Sequence, residues 1–366
     1  MDGTRDVEPR LLVDPYTEWV AGEGIPLHEG FGLDLLELEL APWPRLDARG
    51  AFAHLTGRGD FVDMQVCEIA PGSRTAPQRH LYESVVYVLA GRGSTSVESP
   101  AGERHSFEWH TGSLFAIPLN ASYRHYNGSG TDPARVVAVT DLPLILNVFR
   151  DTDFIWNNPR AFPGRFGETS GFRGDGTFLP VRPGRHMWET NFVPDLRTFE
   201  LKEWTARGAG GSNIIFVLAD GTMHAHMSEM PVGTYKKAHR HGADFHVFAV
   251  TGAGYSLYWW EGEQELRRFD WKHGSVFAPA DGLFHQHFNV SPQPARYLAI
   301  AFGGLRYPTL ADKRATFMGM DVSVKEGGRQ IEYQDEDPRI RRIYEDELRA
   351  RGIASAMDSV FRKQPA

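Results

Sequence analysis

The chain has 366 residues, of which 41% are hydrophobic and 23% charged, and its formal net charge is −8. That length suits two globular domains of ordinary size, and an acidic balance without a long basic run argues against nucleic-acid binding. No apolar run approaches the roughly 18 residues that a membrane span requires. The lone cysteine, Cys67, excludes an intramolecular disulfide, and the first residues lack the apolar core of a signal peptide, so we expect a cytoplasmic protein.

In chain order, five segments differ in pattern. Residues 1–60 predict an N-terminal arm with short strands, such as LDLLELEL at 33–40, and residues 61–150 predict a barrel from β-branched and aromatic runs. The stretch 151–212 is rich in Gly, Pro and Phe and predicts a connecting segment that wraps across its neighbours. Residues 213–305 predict a second barrel, and 306–366 a helical tail, because EDPRIRRIYEDELRARGIASAMDSVF carries apolar residues at helical spacing.

The two strand-rich segments are copies of each other. APGSRTAPQRHLYESVVYVLAGRGS (70–94) aligns without gaps on PVGTYKKAHRHGADFHVFAVTGAGY (231–255), 161 residues further on. GSLFAIPLNASYRHYNGS, from Gly112, aligns on GSVFAPADGLFHQHFNVS, from Gly274, with an offset of 162 residues. Collinear matches of this kind indicate an internal duplication, and strands joined by tight turns predict a jelly-roll barrel in each copy.

The second copy resembles the two signature motifs of the cupin superfamily, G-x5-H-x-H-x3-4-E-x6-G and G-x5-P-x-G-x2-H-x3-N. Gly233, His239, His241 and Gly252 follow the first pattern, and Gly274, Gly282, His285 and Asn289 the second. Gly252 comes one residue early, and Ala280 stands at the proline position of the second motif. The resemblance covers both halves of the chain and implies an all-β fold of two tandem cupin barrels (double-stranded β-helix, jelly-roll) with a short helical C-terminal tail.

The resemblance also implies a metal site with His239, His241 and His285 as ligands. His246 stands where the family usually has Glu, and we expect it to be a substituted fourth ligand. His239 and His241 are two apart on a strand and project from one face. Imidazoles bind Fe, Ni, Cu or Zn, so one divalent metal per chain is expected, with Fe(II) favoured and Mn, Ni or Zn as alternatives.

The first copy lacks this set. Gln78, His80, Val85 and Tyr123 align on His239, His241, His246 and His285, so we expect no metal in the first barrel.

Other polar residues of the second copy are weaker candidates for function. His287 shares the strand face of His285 and is a candidate proton carrier, and one or both of His224 and His226 are expected to face the cavity, with His226 as a candidate catalytic residue. Asp244 is a candidate to orient a ligand, with turn capping as its alternative role. A further group comprises basic residues that could bind a substrate anion: Lys236, Lys237 and Arg240.

Three functions follow from this pattern. In architecture the chain resembles the ring-cleaving dioxygenases that act on gentisate, salicylate or hydroxynaphthoate, which implies an Fe(II) dioxygenase that uses O2 on a small anionic aromatic or enolic substrate. The alternatives are a non-oxidative lyase, isomerase or decarboxylase, and a small-molecule-binding or storage bicupin without catalysis. The family resemblance further implies a homo-oligomer.

Overall fold

The structure is a computed structural model that describes residues 14–99, 102, 104–166, 169–182, 184–242, 245–303 and 321–362. Within these ranges, no helix combines the length and the apolar character needed to cross a membrane. Parts of the predicted N-terminal arm and C-terminal tail, and Asp244, lie outside the described residues. The helices are α1 (Pro15–Gly22), α2 (Leu142–Phe149), α3 (Thr152–Trp156), α4 (Pro338–Ala350) and α5 (Asp358–Arg362).

Strands are the main regular structure in both halves of the chain. The strands of the first half are β1 (Leu27–Gly30), β2 (Gly32–Asp34), β3 (Ala41–Trp43), β4 (Ala48–Leu55), β5 (Asp63–Ile69), β6 (Ser84–Ala90), β7 (Arg92–Glu98), β8 (Arg104–His110), β9 (Leu114–Ile117), β10 (Ser122–Asn127) and β11 (Ala134–Thr140). Those of the second half are β12 (Thr177–Arg182), β13 (Arg185–Thr190), β14 (Phe192–Val193), β15 (Lys202–Glu203), β16 (Ser212–Leu218), β17 (Met223–Met230), β18 (Ala238–His239), β19 (His246–Thr251), β20 (Ala253–Trp259), β21 (Arg267–Lys272), β22 (Ser275–Phe277), β23 (Phe284–Asn289), β24 (Ala295–Phe302) and β25 (Gln330–Ile331).

Each half folds as a large sheet facing a smaller one. In barrel 1 the large sheet has the order β1-β4-β5-β11-β6-β9-β14, with β3 beside β4, and the small sheet has the order β10-β7-β8. In barrel 2 the orders are β12-β13-β16-β17-β24-β19-β22-β2, with β15 beside β16, and β21-β20-β23-β18-β25. The predicted all-β fold of two tandem barrels with a short helical C-terminal tail is therefore confirmed.

The two barrels exchange edge strands. Strand β2 of the N-terminal arm pairs with β22 of barrel 2, and β14 of the connecting segment pairs with β9 of barrel 1. The contacts behind these strands repeat as well: the Arg135 guanidinium donates to the carbonyls of Leu35 and Leu36, and Arg296 donates to those of Leu196 and Phe199. Each large sheet therefore ends on a strand that precedes the other barrel in the sequence.

A shared core lies between the two large sheets. Strand β6 is apolar throughout because both of its faces are buried: Val85, Tyr87 and Leu89 join the core shared with barrel 2, while Val86 and Val88 face the interior of barrel 1. The ring of Tyr87 lies 5.7 Å from that of Phe248 in β19. The barrels are thus packed face to face across an apolar layer.

The repeated glycines have a steric reason. A Cβ atom at Gly93 would lie 2.0 Å from the carbonyl oxygen of Tyr126, and one at Gly254 would lie 2.0 Å from that of Phe288. Each glycine is the second residue of its strand, and an added Cβ atom would also collide with Trp109 or Trp271 of the neighbouring strand. Only hydrogen therefore fits at this point of either barrel.

Helix α4 covers the outer face of the small sheet of barrel 2. Pro338 begins the helix and the Asp337 carboxylate caps it by accepting from Arg339 N at 2.8 Å. Ile340, Tyr344 and Leu348, at spacings of four, are its buried face, and they pack with Phe284 and Phe288 of β23. The helix therefore supports the strand that carries His285 and His287.

Candidate metal centre

Four histidines converge between the sheets of barrel 2. His239 on β18 is the direct cross-strand partner of His285 on β23, and their ring centroids are 4.3 Å apart. The ring of His241 lies 4.6 Å from that of His285, and the ring of His287, two residues along β23, lies 5.4 Å from it. Period-2 alternation on two neighbouring strands thus gathers the side chains on one face.

Backbone carbonyls orient three of these rings. Nδ1 of His239 lies 3.2 Å from Lys237 O, Nδ1 of His241 lies 2.7 Å from Gly242 O, and Nδ1 of His285 lies 2.9 Å from Leu283 O. Because a carbonyl only accepts, each Nδ1 carries the proton and each Nε2 presents a lone pair. This is the arrangement that metal-binding histidines use.

The donor set fits a divalent metal ion. One ring nitrogen each of His239, His285 and His287 lie within 4.8 Å of one another. Nε2 of His285 is buried and has no hydrogen-bond partner within the described ranges, which is costly unless a ligand occupies it. Burial, with neighbouring cationic groups, holds the pKa of His239 and of His285 well below the usual value and lowers that of His287 to about 3. The imidazoles are therefore neutral, as metal binding requires.

His287 lies among the metal-site histidines, although the sequence suggested a proton carrier. Its Nδ1 shares a 2.8 Å hydrogen bond with Ser256 Oγ. In barrel 1, His125 shares a matching 2.8 Å bond with Thr95 Oγ1. The repeated bond fixes the ring in both barrels, so its orientation does not depend on the other histidines.

The side chain of His246, the expected fourth ligand, is directed away from the other histidines. Along β19, Val247 and Ala249 face the barrel interior with Phe245 just before them, whereas Phe248 and Val250 belong to the core shared with barrel 1. His246 has the same parity as the latter pair, is fully buried and is electrostatically coupled to His54 of barrel 1. Alternation along the strand turns its imidazole away from the other histidines.

Phe245 occupies the place expected of a fourth ligand. Its ring lies 4.4 Å from that of His241. Three residues separate Phe245 from His241 and six separate it from Gly252, so the motif spacing fits Phe245, whereas His246 leaves Gly252 one residue early. An apolar ring here adds no negative charge to the site.

The histidines line a cavity whose other walls are basic and aromatic. Sequence reasoning missed several of its walls, because Arg185, Trp204 and Arg207 come from the connecting segment and Tyr297 from a strand outside the motifs. Trp204 carries the Arg185 guanidinium over its ring at 3.9 Å. The residues that line the cavity are Arg185, Trp204, Arg207, His226, Ser228, Lys236, His239, His241, Phe245, Val247, His285, His287, Tyr297 and Ala299.

Of the two histidines of β17, His226 lines the cavity, and His224 lies two residues before it on the same strand face. His224 Nε2 lies 2.9 Å from His226 Nδ1, so one proton is shared between them. Burial, and then the positive surroundings that begin with His224, hold the pKa of His226 well below its usual value. His226 is therefore a neutral imidazole on the cavity wall.

The three basic residues that the sequence suggested for binding a substrate anion have different surroundings. Lys236 lines the cavity, and burial, followed by Arg207 and Arg185, lowers its pKa to about 7. Lys237 instead forms a 2.5 Å ion pair with Glu332, and Arg240 a 2.7 Å pair with Glu261. The latter two therefore bind protein carboxylates.

In barrel 1 the aligned positions are satisfied by internal hydrogen bonds. Nε2 of Gln78 donates to backbone carbonyls, including that of Arg45 at 2.8 Å. His80 lies 2.8 Å through Nδ1 from Tyr82 O and 3.0 Å through Nε2 from the Tyr123 hydroxyl. With both of its nitrogens engaged, His80 has no lone pair directed at an open site.

Comparisons with known proteins find one family model and a set of solved structures. A family model described as auxin binding protein matches residues 49–161. Among solved structures, an oxalate decarboxylase variant from Bacillus subtilis is 12% identical with a TM-score of 0.48, over 81% of this chain and 85% of that one. The formate complex of oxalate decarboxylase from Lactobacillus farciminis is 13% identical with a TM-score of 0.49, over 79% and 90%. A search of curated protein sequences finds no match to this chain.

In its two tandem barrels and repeated motifs the chain resembles the bicupin class of the cupin superfamily, and the matched family model covers barrel 1. Within that class, its histidine cluster lies in the second barrel, and the equivalent positions of the first barrel are occupied by Gln78, His80 and Tyr123.

Proposed function

We propose that barrel 2 is a mononuclear metal centre of an enzyme that acts on a small anionic substrate, and that the enzyme is an Fe(II) dioxygenase. The cluster of neutral imidazoles with the buried, unpartnered Nε2 of His285 carries the proposal. His239 and His285 would hold the ion together with a third imidazole, from His241 or His287. Imidazole suits Fe(II), Zn, Cu and Ni, whereas Mn prefers carboxylate oxygens.

Coordination number supports the oxidative reaction. With His246 facing away from the cluster, three imidazoles would leave about three of the six positions of an octahedral ion. A substrate that binds through two atoms, together with O2, needs that number. Bound Fe(II) would supply the redox chemistry with O2, and the protein would supply position, charge and protons.

Charge supports an anionic substrate. Neutral imidazoles leave the positive charge of a divalent ion uncompensated, and no Asp or Glu is among the described residues that line the cavity. A carboxylate or enolate would therefore gain strongly from binding here. Tyr297, Phe245 and Trp204 supply flat surfaces for an aromatic or enolic body.

The His224–His226 pair favours a second candidate, a non-oxidative lyase, isomerase or decarboxylase. His226 is neutral on the cavity wall, and its Nδ1 is engaged by His224 Nε2. Its Nε2 is therefore the atom that could take a proton from, or return one to, a bound substrate. In that reaction the metal would only polarise a carbonyl or stabilise an enolate.

Metal analysis of protein purified without chelators or a metal-affinity tag tests the proposal. We expect about one iron per chain, and loss of most of it in His239→Gln and His285→Gln, because each substitution removes an imidazole from the cluster. Gln78→Ala, at the position of barrel 1 that aligns with His239, is the control and should keep the wild-type metal content. Full metal occupancy in both histidine variants would refute the site.

Oxygen uptake separates the two reactions. Iron-loaded protein is mixed anaerobically with hydroxybenzoates or diketones and then exposed to O2. Stoichiometric O2 consumption supports the dioxygenase, whereas turnover without O2, or with Zn or Ni in the site, supports the non-oxidative alternative. Absence of any retained metal would favour a binding or storage protein.

A further inference from the structure

Three basic side chains form one wall of the barrel 2 cavity, and we call Arg185, Arg207 and Lys236 the basic wall. All three are buried, with exposed fractions of 6%, 6% and 2%. Basic side chains of this length normally keep their charged ends in water, so burial of three together requires a reason in the site.

Lys236 gives the clearest indication of an absent ligand. Its Nζ is buried and has no hydrogen-bond partner in the part of the chain that the structure describes. The Nζ atom lies over the ring of Tyr297, 5.7 Å from its centroid, and this cation–π contact offsets part of the cost of burying the charge. Charging this buried amine beside an aromatic face is costly, and an anion in the cavity would offset that cost and favour the protonated form.

The arginines of the basic wall are held in place by an indole. The guanidinium of Arg185 lies 3.9 Å from the Trp204 ring centroid, and that of Arg207 lies 5.9 Å from it. The nearest acidic influence on Lys236, Glu229, forms a 2.6 Å ion pair with Arg296. Protein carboxylates among the described residues therefore do not neutralise Lys236 from within the cavity.

The internal repeat offers a comparison within the same chain. At the offset of 161 residues, Lys236 and Arg207 correspond to Thr75 and Leu46, and both of these line the cavity of barrel 1. The barrel that has the histidine cluster thus also has the basic wall, whereas Arg45, which lines the cavity of barrel 1, is paired with Glu23. A purely structural role would not account for this pairing, since barrel 1 folds with neutral side chains at the same places.

We infer that the basic wall binds a second acidic group of the substrate, so that the substrate class is small molecules with two carboxylates, or a carboxylate and a second acidic group. One group would lie at the histidine cluster and the other between Lys236 and the two arginines. This inference rests on the proposed function for the first group only, because the basic wall would attract an anion with or without a metal.

Isothermal titration of the metal-loaded protein at pH 7 tests the inference, with malonate, succinate and glutarate and the monomethyl ester of each as probes. Each ester keeps most of the shape and removes one charge. We expect at least one diacid to bind about tenfold or more tightly than its ester, a ratio typical of a desolvated charge pair. Lys236→Met should reduce that ratio to about threefold or less.

Lys237→Met is the matched control, since it removes the same charge one residue away from a side chain that pairs with Glu332. It should keep the wild-type ratio. Lys236→Thr is a second variant, because threonine occupies the equivalent place in barrel 1, and it should behave as Lys236→Met does. Equal binding of diacids and esters across the series, or an unchanged ratio in both Lys236 variants, would overturn the inference.

The two proposals can fail separately. If the wild-type protein retains no metal, the proposed function fails, and a Lys236-dependent preference for diacids in the metal-free protein would still support the basic wall. If metal is retained and the diacid preference is absent, the basic wall alone is refuted.

Discussion

At position 246, a shift of one residue along a strand decides whether a side chain faces the histidine cluster or the opposite side of the sheet. The pattern of histidines identified His239, His241 and His285, which the structure brings together. The choice of His246 for the fourth position followed the residue type, because histidine is a metal ligand, although the six residues before Gly252 fit Phe245, which faces inward. Arg185, Arg207 and Tyr297 escaped sequence reasoning because they lie outside the motifs and reach the site only through tertiary folding.

We predict that His246→Gln leaves the metal content unchanged. The side chain belongs to the face of β19 that packs against barrel 1, so its replacement removes no ligand. Metal analysis compares it with His239→Gln, the same substitution within the cluster, which should lose most of its metal. Loss of metal from His246→Gln at full folding would restore a four-histidine site.

At the scale of elements, the C-terminal segment holds the histidine-bearing strands from outside. Strand β25 pairs with β18, placing Gln330 opposite His239. Glu336 accepts hydrogen bonds from the Tyr235 hydroxyl and, at 3.1 Å, from Nε2 of Gln286, the residue between His285 and His287. Helix α4 was predictable from its apolar spacing and its Asp-Pro start, but β25 was not, because two residues carry no periodic signal.

The carboxyl group of Glu336 gives this segment a pH dependence. Burial raises its pKa to about 7 from an ordinary value of 4.5, so the folded state binds the proton more tightly than the unfolded state does. Its contribution to stability is therefore complete below about pH 4.5 and declines as the pH rises through about 7. We predict that the melting temperature of Glu336→Gln falls less than that of the wild type between pH 5 and 8.

Melting curves of the two proteins over that range check this prediction. The difference between them isolates Glu336, since other titrating groups are common to both. Parallel pH profiles would contradict the assignment.

At the scale of the whole molecule, Glu83 joins the barrels. Its carboxylate accepts from Thr222 N at 2.6 Å, from Met223 N at 3.0 Å and from the Thr222 hydroxyl at 2.9 Å, and it pairs with Arg165. The duplication itself was predictable from the repeated glycines and histidines, whereas contacts between the copies have no repeat to reveal them.

We predict that Glu83→Ala lowers the free energy of unfolding by about 2–4 kcal/mol, because buried donors in barrel 2 and an arginine lose their acceptor. Glu98→Ala, which removes an exposed ion pair with Arg104, should cost less than about 1 kcal/mol. Urea denaturation measures both. A cost for Glu83→Ala as small as that of the control would show that the contact adds little.

The exchange of β2 and β14 has a consequence for the history of the chain. Two copies that each lend an edge strand to the other have the form of a domain-swapped dimer, here joined into one polypeptide. Once fused, the copies were no longer bound to be identical, and the histidine cluster needed to persist in only one. The other could change these positions but not its fold, because its partner's sheet ends on a strand that it supplies.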